Sequence, residues 1–454
     1  MDPGLPEKYP LPSWWLKNSK NPLGDYQSSP KLPNKTDILI IGAGYTGAST
    51  AHHLAKLVPS SCSITVIDAR GVAEGATGRN GGHLIPYNHR NILRDVELFG
   101  VDYALWRRDL EWANVQEIVK FLKDSGIDKI AQIQKGDNVM AYCTQEAWQR
   151  AKEEVAFVKR HDREWGDCQV WEAEEARKQL KSPDVVGAIK IEAYQMFPAK
   201  WIWQVFTNLL KEGKIALYTN SPVTAITKYS SGAWKVQTEH RGSITAQKVI
   251  HCTNGWMGHL IPQIRDFCYP VSEQVMALKM PKPVWQNKGF VWHNVAHYII
   301  QREKDNIVIV GGGRSTTDGS NRPFVDHDEV DFIGTNLGGM IRANDSSIYP
   351  VLHNDIRQFL RSHFPNEPWP EFEEAEWAGV QGYTKDHLPY IGPLETCPNQ
   401  YISAGFNGHG MPLCWWAGRR IAEMAVGENQ AVDDPADIFL PGTRMNIGNL
   451  NTKL

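Results

Sequence analysis

At 454 residues the chain exceeds what one hydrophobic core ordinarily holds, so two domains are expected, and 42% hydrophobic with 22% charged residues is a soluble globular balance. A formal charge of −3 and a pI near 6.6 give no ground for a nucleic-acid or anionic-membrane partner, and no apolar run is long enough to span a bilayer. Seven cysteines, an odd number without a CxxC pair, point to a reducing compartment in which most thiols are small buried hydrophobes.

Residues 1–35 are polar and proline-rich, unlike a secretory leader, and the pair Trp14-Trp15 predicts an extended arm laid over the surface through its indoles. The run Asp37-Ile-Leu-Ile-Ile-Gly-Ala-Gly-Tyr-Thr-Gly47 follows. Its four aliphatic residues predict a strand buried on both faces, and Ala48 to Leu57 predicts a helix. Gly42 allows the turn, Gly44 lets a pyrophosphate approach the backbone, and Gly47 lets the helix pack on the strand, with the N–H groups of the helix start around Tyr45 and Thr46 facing the phosphates. A second strand, Ile64 to Ile67, ends in Asp68-Ala69-Arg70, with the acid roughly 20 residues past Gly47, where it can accept hydrogen bonds from a ribose. Strand, turn, helix, strand and acid in this order predict a dinucleotide site but do not choose between a nicotinamide and a flavin.

Directly afterwards comes Gly75-Ala-Thr-Gly-Arg-Asn-Gly-Gly82 and then His83. Glycines this dense suit a backbone lying close to a planar ligand, with Thr77, Arg79 and Asn80 meeting its phosphates and Gly78 and Gly81 between them. Together with the first turn, this loop resembles that of the D-amino acid oxidase superfamily of flavoproteins, which includes glycine oxidase, sarcosine oxidase and gamma-glutamylputrescine oxidoreductase. The resemblance implies FAD, with the loop running along its pyrophosphate towards the isoalloxazine. The expected fold class is α/β, a Rossmann-type FAD-binding domain with a second α+β substrate domain on a mixed or antiparallel sheet.

Helices at 101–125 and 145–161 around a strand near 139–143 open the substrate side. A helix from Ala199 to Leu210, a strand Ile215 to Tyr218 and a meander over 223–249 return to the first domain. Val223 and the segment Val249-Ile-His-Cys-Thr-Asn-Gly-Trp256, with Thr253, Asn254, Gly255 and Trp256, resemble the family's adenosine side. The section 261–374 completes the substrate domain, with the strand Gln274 to Leu278, then Tyr298 to Gln301, then Asn306 to Arg314 with three glycines that suit close approach to a flat ring. The segments Trp377 to Gly392, with Gly382 and Asp386, and Ser403 to Met411, with Gly405, Asn407, Gly408, His409, Gly410 and Met411, resemble the family's C-terminal signature, and a last helix spans Pro412 to Val426. The resulting division is 1–35 arm; 36–100, 196–260 and 375–430 FAD-binding domain; 101–195 and 261–374 substrate domain; and 431–454 tail.

FAD supplies the electron sink, so no catalytic triad is required, and the fifteen histidines show no metal spacing. Four residues are candidates at the reacting end: Gln381, Tyr298, Arg314 and His409, the last as a flavin contact. The family's amino acid oxidases place a carboxylate-binding arginine where this chain has Gln381, and a neutral amide cannot replace a bidentate cation. The resemblance therefore implies a primary or secondary amine, or an N-substituted amino acid, oxidised to an imine with dioxygen giving hydrogen peroxide. A dehydrogenase of the same fold and a flavin-binding protein without turnover are the alternatives. No cysteine lies between Trp377 and Asp386, where monomeric sarcosine oxidase carries its thioether, so noncovalent FAD is expected. The final Thr452-Lys453-Leu454 resembles a peroxisomal address, with a cytoplasmic location as the alternative. Oligomeric state is not encoded in any of these patterns.

Overall fold

The four aliphatic residues Ile38 to Ile41 are buried because their strand, Lys35–Ile41, lies between two parallel neighbours, Ser243–His251 and Ile64–Ile67, with both faces covered. The computed structural model describes residues 2–229, 231–285, 288–292, 297–312, 343–428 and 434–445. Arg314 and the terminal Thr452-Lys453-Leu454 lie outside these described residues.

The first sheet runs in the order Tyr390–Pro393, Gln400–Ala404, Ser243–His251, Lys35–Ile41, Ile64–Ile67, Ala216–Tyr218. All neighbours are parallel except the outermost hairpin Tyr390–Pro393 with Gln400–Ala404. The meander Val223–Lys228 and Trp234–Thr238 attaches to Ser243–His251. Helices Tyr45–Leu57, Pro198–Lys211 and Cys414–Val426 pack on this sheet through a shared cluster of Ala48, Leu54, Trp201, Phe206, Trp415 and Ile421.

The second sheet is mostly antiparallel, in the order Ala375–Thr384, Cys268–Lys279, Ile307–Gly312, Tyr298–Gln301, Lys288–Trp292, Gln134–Tyr142, Gly187–Gln195, His83–Leu84. Among the described residues its one parallel pair is Lys288–Trp292 with Gln134–Tyr142. The expected helices are present as Val101–Asp124 and Gln145–Arg160.

Residues 2–35 lie over the surface, most of them exposed or half-buried, and are anchored through the indoles, but the arm is not extended throughout: Ser13 caps a short helix, Trp14–Lys17, whose two indoles are buried, Trp15 at 1% exposure. One expectation needs a larger correction. The segment after 375, assigned by sequence to the dinucleotide side, begins with a strand, Ala375–Thr384, that pairs over ten positions with Cys268–Lys279 in the second sheet. It reaches the first sheet only afterwards, so the chain crosses between sheets at 384–390.

Candidate active site

Between the two sheets lies one continuous cavity, and the glycine-bearing segments meet along it. Gly42, at φ +110°, sits where a Cβ would come within 2.5 Å of the Cys252 carbonyl oxygen, and a Cβ on Gly47 would lie 1.9 Å from the Gly42 oxygen. A Cβ on Gly255 would meet the Gln381 oxygen at 2.5 Å, and one on Gly382 the Asn254 Oδ1 at 2.6 Å. That Oδ1 accepts the Gly405 N–H at 3.0 Å. Segments from the start, middle and end of the sequence therefore interlock at distances that only glycine permits.

The end of the cavity nearest the first turn suits an extended dinucleotide. Helix Tyr45–Leu57 starts at Gly44 with no side-chain cap, so its positive end opens into the cavity. Asp68 accepts the Ala43 N–H on one oxygen at 2.6 Å and the Arg70 N–H on the other at 2.8 Å, which fixes the carboxyl yet leaves acceptor capacity for ribose hydroxyls. Burial pushes its pKa up to about 6, against the opposing pull of those N–H groups. Thr253 Oγ1 is buried without a hydrogen-bond partner among the described residues, an unmet polar atom of the sort a ligand satisfies. Ala69, Val223 and Trp256 line the same end.

The glycine-rich loop is fastened from outside. Ser13 Oγ donates to the Gly78 oxygen at 2.6 Å, Trp377 Nε1 to that of Arg79 at 2.8 Å, Trp15 Nε1 to that of Asn80 at 2.7 Å, and Met196 N–H to that of Gly82 at 2.9 Å. Thr77 Oγ1 accepts the Tyr45 N–H at 2.9 Å, joining loop to helix start. Two polar side chains expected on the phosphates line the cavity but spend most of their hydrogen bonds on the protein itself. The buried Arg79 donates to the carbonyls of Glu74, Leu11 and Ala378 and lies 3.5 Å from Asp345, so at most its Nη2 remains for a ligand. Asn80 turns onto its own loop, donating to the Ala76 and Thr77 carbonyls and accepting the Gly82 N–H.

At the far end Tyr298 stands on the backbone: a Cβ on Gly311 would come within 2.3 Å of its hydroxyl, and one on Gly81 within 2.5 Å of its ring. The flat ring that Gly311 accommodates is thus the protein's own. His83 packs edge-on to Tyr298 at 5.4 Å, and burial pushes its pKa down to about 4. Gln381 lines the cavity and its amide donates to Glu273, a carboxyl only 3% exposed that lines the same space. His409 lines it too, its Nε2 2.8 Å from the carboxylate of the fully buried Glu111 and its ring stacked on Tyr87 at 3.7 Å and 6°.

Gly408, Gly410 and Met411 line the cavity, whereas Gly47, Gly78, Gly82, Gly255, Gly382, Gly405 and Asn407 support its walls from behind. Asn407 accepts the Thr384 N–H, bracing the crossing between sheets. Asp386, expected against the cofactor, instead makes a two-point ion pair with Arg444, at 2.7 Å from Nε and 2.5 Å from Nη2, outside the cavity. Side chains with metal-ligand chemistry gather away from it: Cys143, Asp184 and His363 bring ligand atoms within 4.8 Å of one another, which their spacing does not disclose.

Glu273, Glu111 and Tyr87 are absent from the sequence-based candidates. Two left a signal. Glu273 interrupts the otherwise apolar face Val271, Val275 of a strand buried along nearly its whole length, and Glu111 with Arg108 falls in the helical stripe Ala104, Val115, Ile118, Leu122. Charged groups inside an apolar stripe are the exception that burial has to explain.

A family profile described as FAD dependent oxidoreductase matches residues 37–424. The chain is 23% identical over 417 residues to gamma-glutamylputrescine oxidoreductase of Escherichia coli, covering 88% of this chain and 86% of that one. It is 23% identical over 415 residues to glycine oxidase of Geobacillus kaustophilus, covering 88% and 96%. The crystal structure of the latter superposes with a TM-score of 0.68 at 18% identity, over 90% of this chain and 98% of that one, so the two share a fold.

Proposed function

The chain belongs to the family of FAD-dependent oxidoreductases, and from that membership we propose that it oxidises a C–N bond of a primary or secondary amine, or of an N-substituted amino acid, with dioxygen as final acceptor. When bound, FAD supplies the hydride acceptor and the electron store. The helix start at Gly44–Thr46, Asp68, the pinned loop 75–83 and the Thr253–Trp256 segment would hold it.

One observation carries the choice of substrate: Gln381 lines the cavity with its amide engaged by the buried carboxyl of Glu273. An acidic group there favours a cationic or neutral amine and disfavours a carboxylate placed directly against it, so an N-substituted amino acid would have to hold its carboxylate elsewhere in the cavity. The names of the two relatives, one a glutamylated diamine oxidoreductase and one an amino acid oxidase, fit a nitrogen-bearing substrate. The side chains then orient the amine, exclude water and take up its proton.

Noncovalent attachment is part of the same reading. Cys252 and Cys414 line the cavity, but burial pushes both thiols up to about 12, so neither is a nucleophilic thiolate at neutral pH. Acid precipitation is expected to release all the flavin into the supernatant.

The deciding experiment mixes the yellow protein anaerobically with a panel of amines, N-substituted amino acids and hydroxy acids, then admits air and measures peroxide. Bleaching by an amine followed by stoichiometric peroxide is expected. Bleaching by a hydroxy acid alone would overturn the substrate class, and amine bleaching without peroxide would make the protein a dehydrogenase.

A further inference from the structure

We propose that Glu111 is a positioning residue that makes His409 the proton acceptor of the cavity, a role that rests on the amine reading above. His409 follows Gly408 in the C-terminal glycine run and lines the cavity, its side chain 19% exposed. Its Nε2 is 2.8 Å from Glu111 Oε2, whose side chain is 0% exposed. An ionised carboxylate only accepts, so Nε2 carries the proton and Nδ1 keeps the lone pair of the neutral ring. Nδ1 has no hydrogen-bond partner among the described residues and is not among their sealed, unpartnered atoms, so it meets the open space of the cavity.

Glu111 is itself held from several sides. The same Oε2 accepts the Tyr87 N–H at 2.8 Å, and Oε1 lies 3.6 Å from Arg107 Nε. Burial alone would raise the Glu111 pKa, but His409, Arg107 and the Tyr87 N–H together bring it below its ordinary value, so the carboxylate stays ionised. Tyr87 stacks on one face of the imidazole and carries the Arg107 guanidinium over its own ring at 4.9 Å. The arrangement fixes ring, tautomer and counter-charge before substrate arrives, the relation that an orienting carboxylate has to a general-base histidine.

His409 Nδ1 takes the proton from the substrate ammonium, giving imidazolium beside the Glu111 carboxylate. The freed nitrogen lone pair is then available to form the C=N bond as the adjacent C–H bond breaks, and FAD, when bound, would supply the acceptor for the departing hydride and its two electrons.

Among the described residues the charged and titratable groups around the dyad are Arg107 and Tyr103 on its own helix, Tyr87 on the preceding loop, and, reached through Arg107, Asp95 on helix Ile92–Phe99 and His387; burial pushes the Tyr103 hydroxyl up to about 12, so it stays neutral. His387 is held neutral by burial, its pKa pushed down to about 4, and Asp95 is neutralised by Arg108 and Arg107. Neither competes for the titration of His409.

The test is Glu111→Gln in the FAD-loaded protein, read by kcat against pH and by the imidazole titration of His409 in histidine-labelled protein by NMR, assigned through His409→Gln. Without the carboxylate the imidazolium loses its counter-charge, so both the acid limb and the NMR titration are expected to move down by about one pH unit. His409→Gln, a change at a partly exposed site, is expected to remove the limb and serves if Glu111→Gln does not fold. An unmoved imidazole titration overturns the proposal, and so does a shifted titration with an unshifted acid limb. A wild-type protein that no amine reduces would instead sink the proposed function, while the NMR titration still decides whether Glu111 governs His409.

Discussion

His251 shows how one residue ties the fold to solution conditions. It is fully buried at the end of the central strand Ser243–His251, with Nε2 2.8 Å from the Gln400 amide oxygen, and burial pushes its pKa down to about 4 from 6.5. In the unfolded chain the ring gains its proton as pH falls through about 6.5, and in the folded chain only near 4. Across that window the unfolded state binds more protons, so stability present above pH 6.5 is lost as pH falls towards 4. For this one group the loss is roughly 3 kcal/mol by pH 4. His251→Gln, measured by urea unfolding at several pH values, is expected to flatten the slope over that window. At Gly47 the constraint is steric: a Cβ would lie 1.9 Å from the Gly42 oxygen, so Gly47→Ala is expected to cost about 3 kcal/mol, seen as a lowered Tm together with loss of bound flavin. The dinucleotide turn was legible at this scale because each glycine answers a local backbone demand. Asp386 was not, because its neighbours in sequence say nothing of Arg444, 58 residues on.

Among the elements, the helices followed from their own stripes. Residues 145–161 predicted a helix and Gln145–Arg160 is one, started by the Thr144 side chain accepting the Ala147 N–H. Strands were legible as strands, but sheet membership was not. Ala375–Thr384 looks local to the C-terminal signature, yet its ladder runs to Cys268–Lys279, about a hundred residues away, and no local pattern encodes a partner at that distance. The N-terminal arm teaches the same lesson through energetics. Trp15 buries its whole side chain against the glycine-rich loop and fills its one N–H by donating to the Asn80 carbonyl. Trp15→Ala is expected to cost about 4 kcal/mol and to loosen a loop fastened through only a few carbonyls. The measurement is flavin retained after dialysis beside the thermal midpoint. A variant that keeps wild-type flavin retention would show that the arm stabilises without shaping the site.

For the molecule as a whole, the cavity walls come from both sheets, so the dinucleotide adds a bridge between parts that already share one hydrophobic cluster, with Val275, Ile309 and Trp377 of the second sheet beside Ile40, Leu54 and Trp415 of the first layer. Stripping the flavin is expected to lower stability by about 3 kcal/mol relative to protein with ligand at a hundredfold excess over Kd, and re-addition should restore it. A calorimetric scan of stripped, loaded and reloaded protein checks this, and an unchanged midpoint would mean that the domains hold their arrangement unaided. Sequence alone determined the nucleotide-binding unit, the flavin family and the departure at Gln381, because backbone geometry at a tight turn and the identity of one side chain are local properties. Only the tertiary structure decided that Glu273 stands against Gln381, that Glu111 backs His409, and that Arg79 gives most of its donors to the scaffold. Those outcomes depend on which distant groups share a low-dielectric space, and buried charge is placed by its partners, not by its position in the chain.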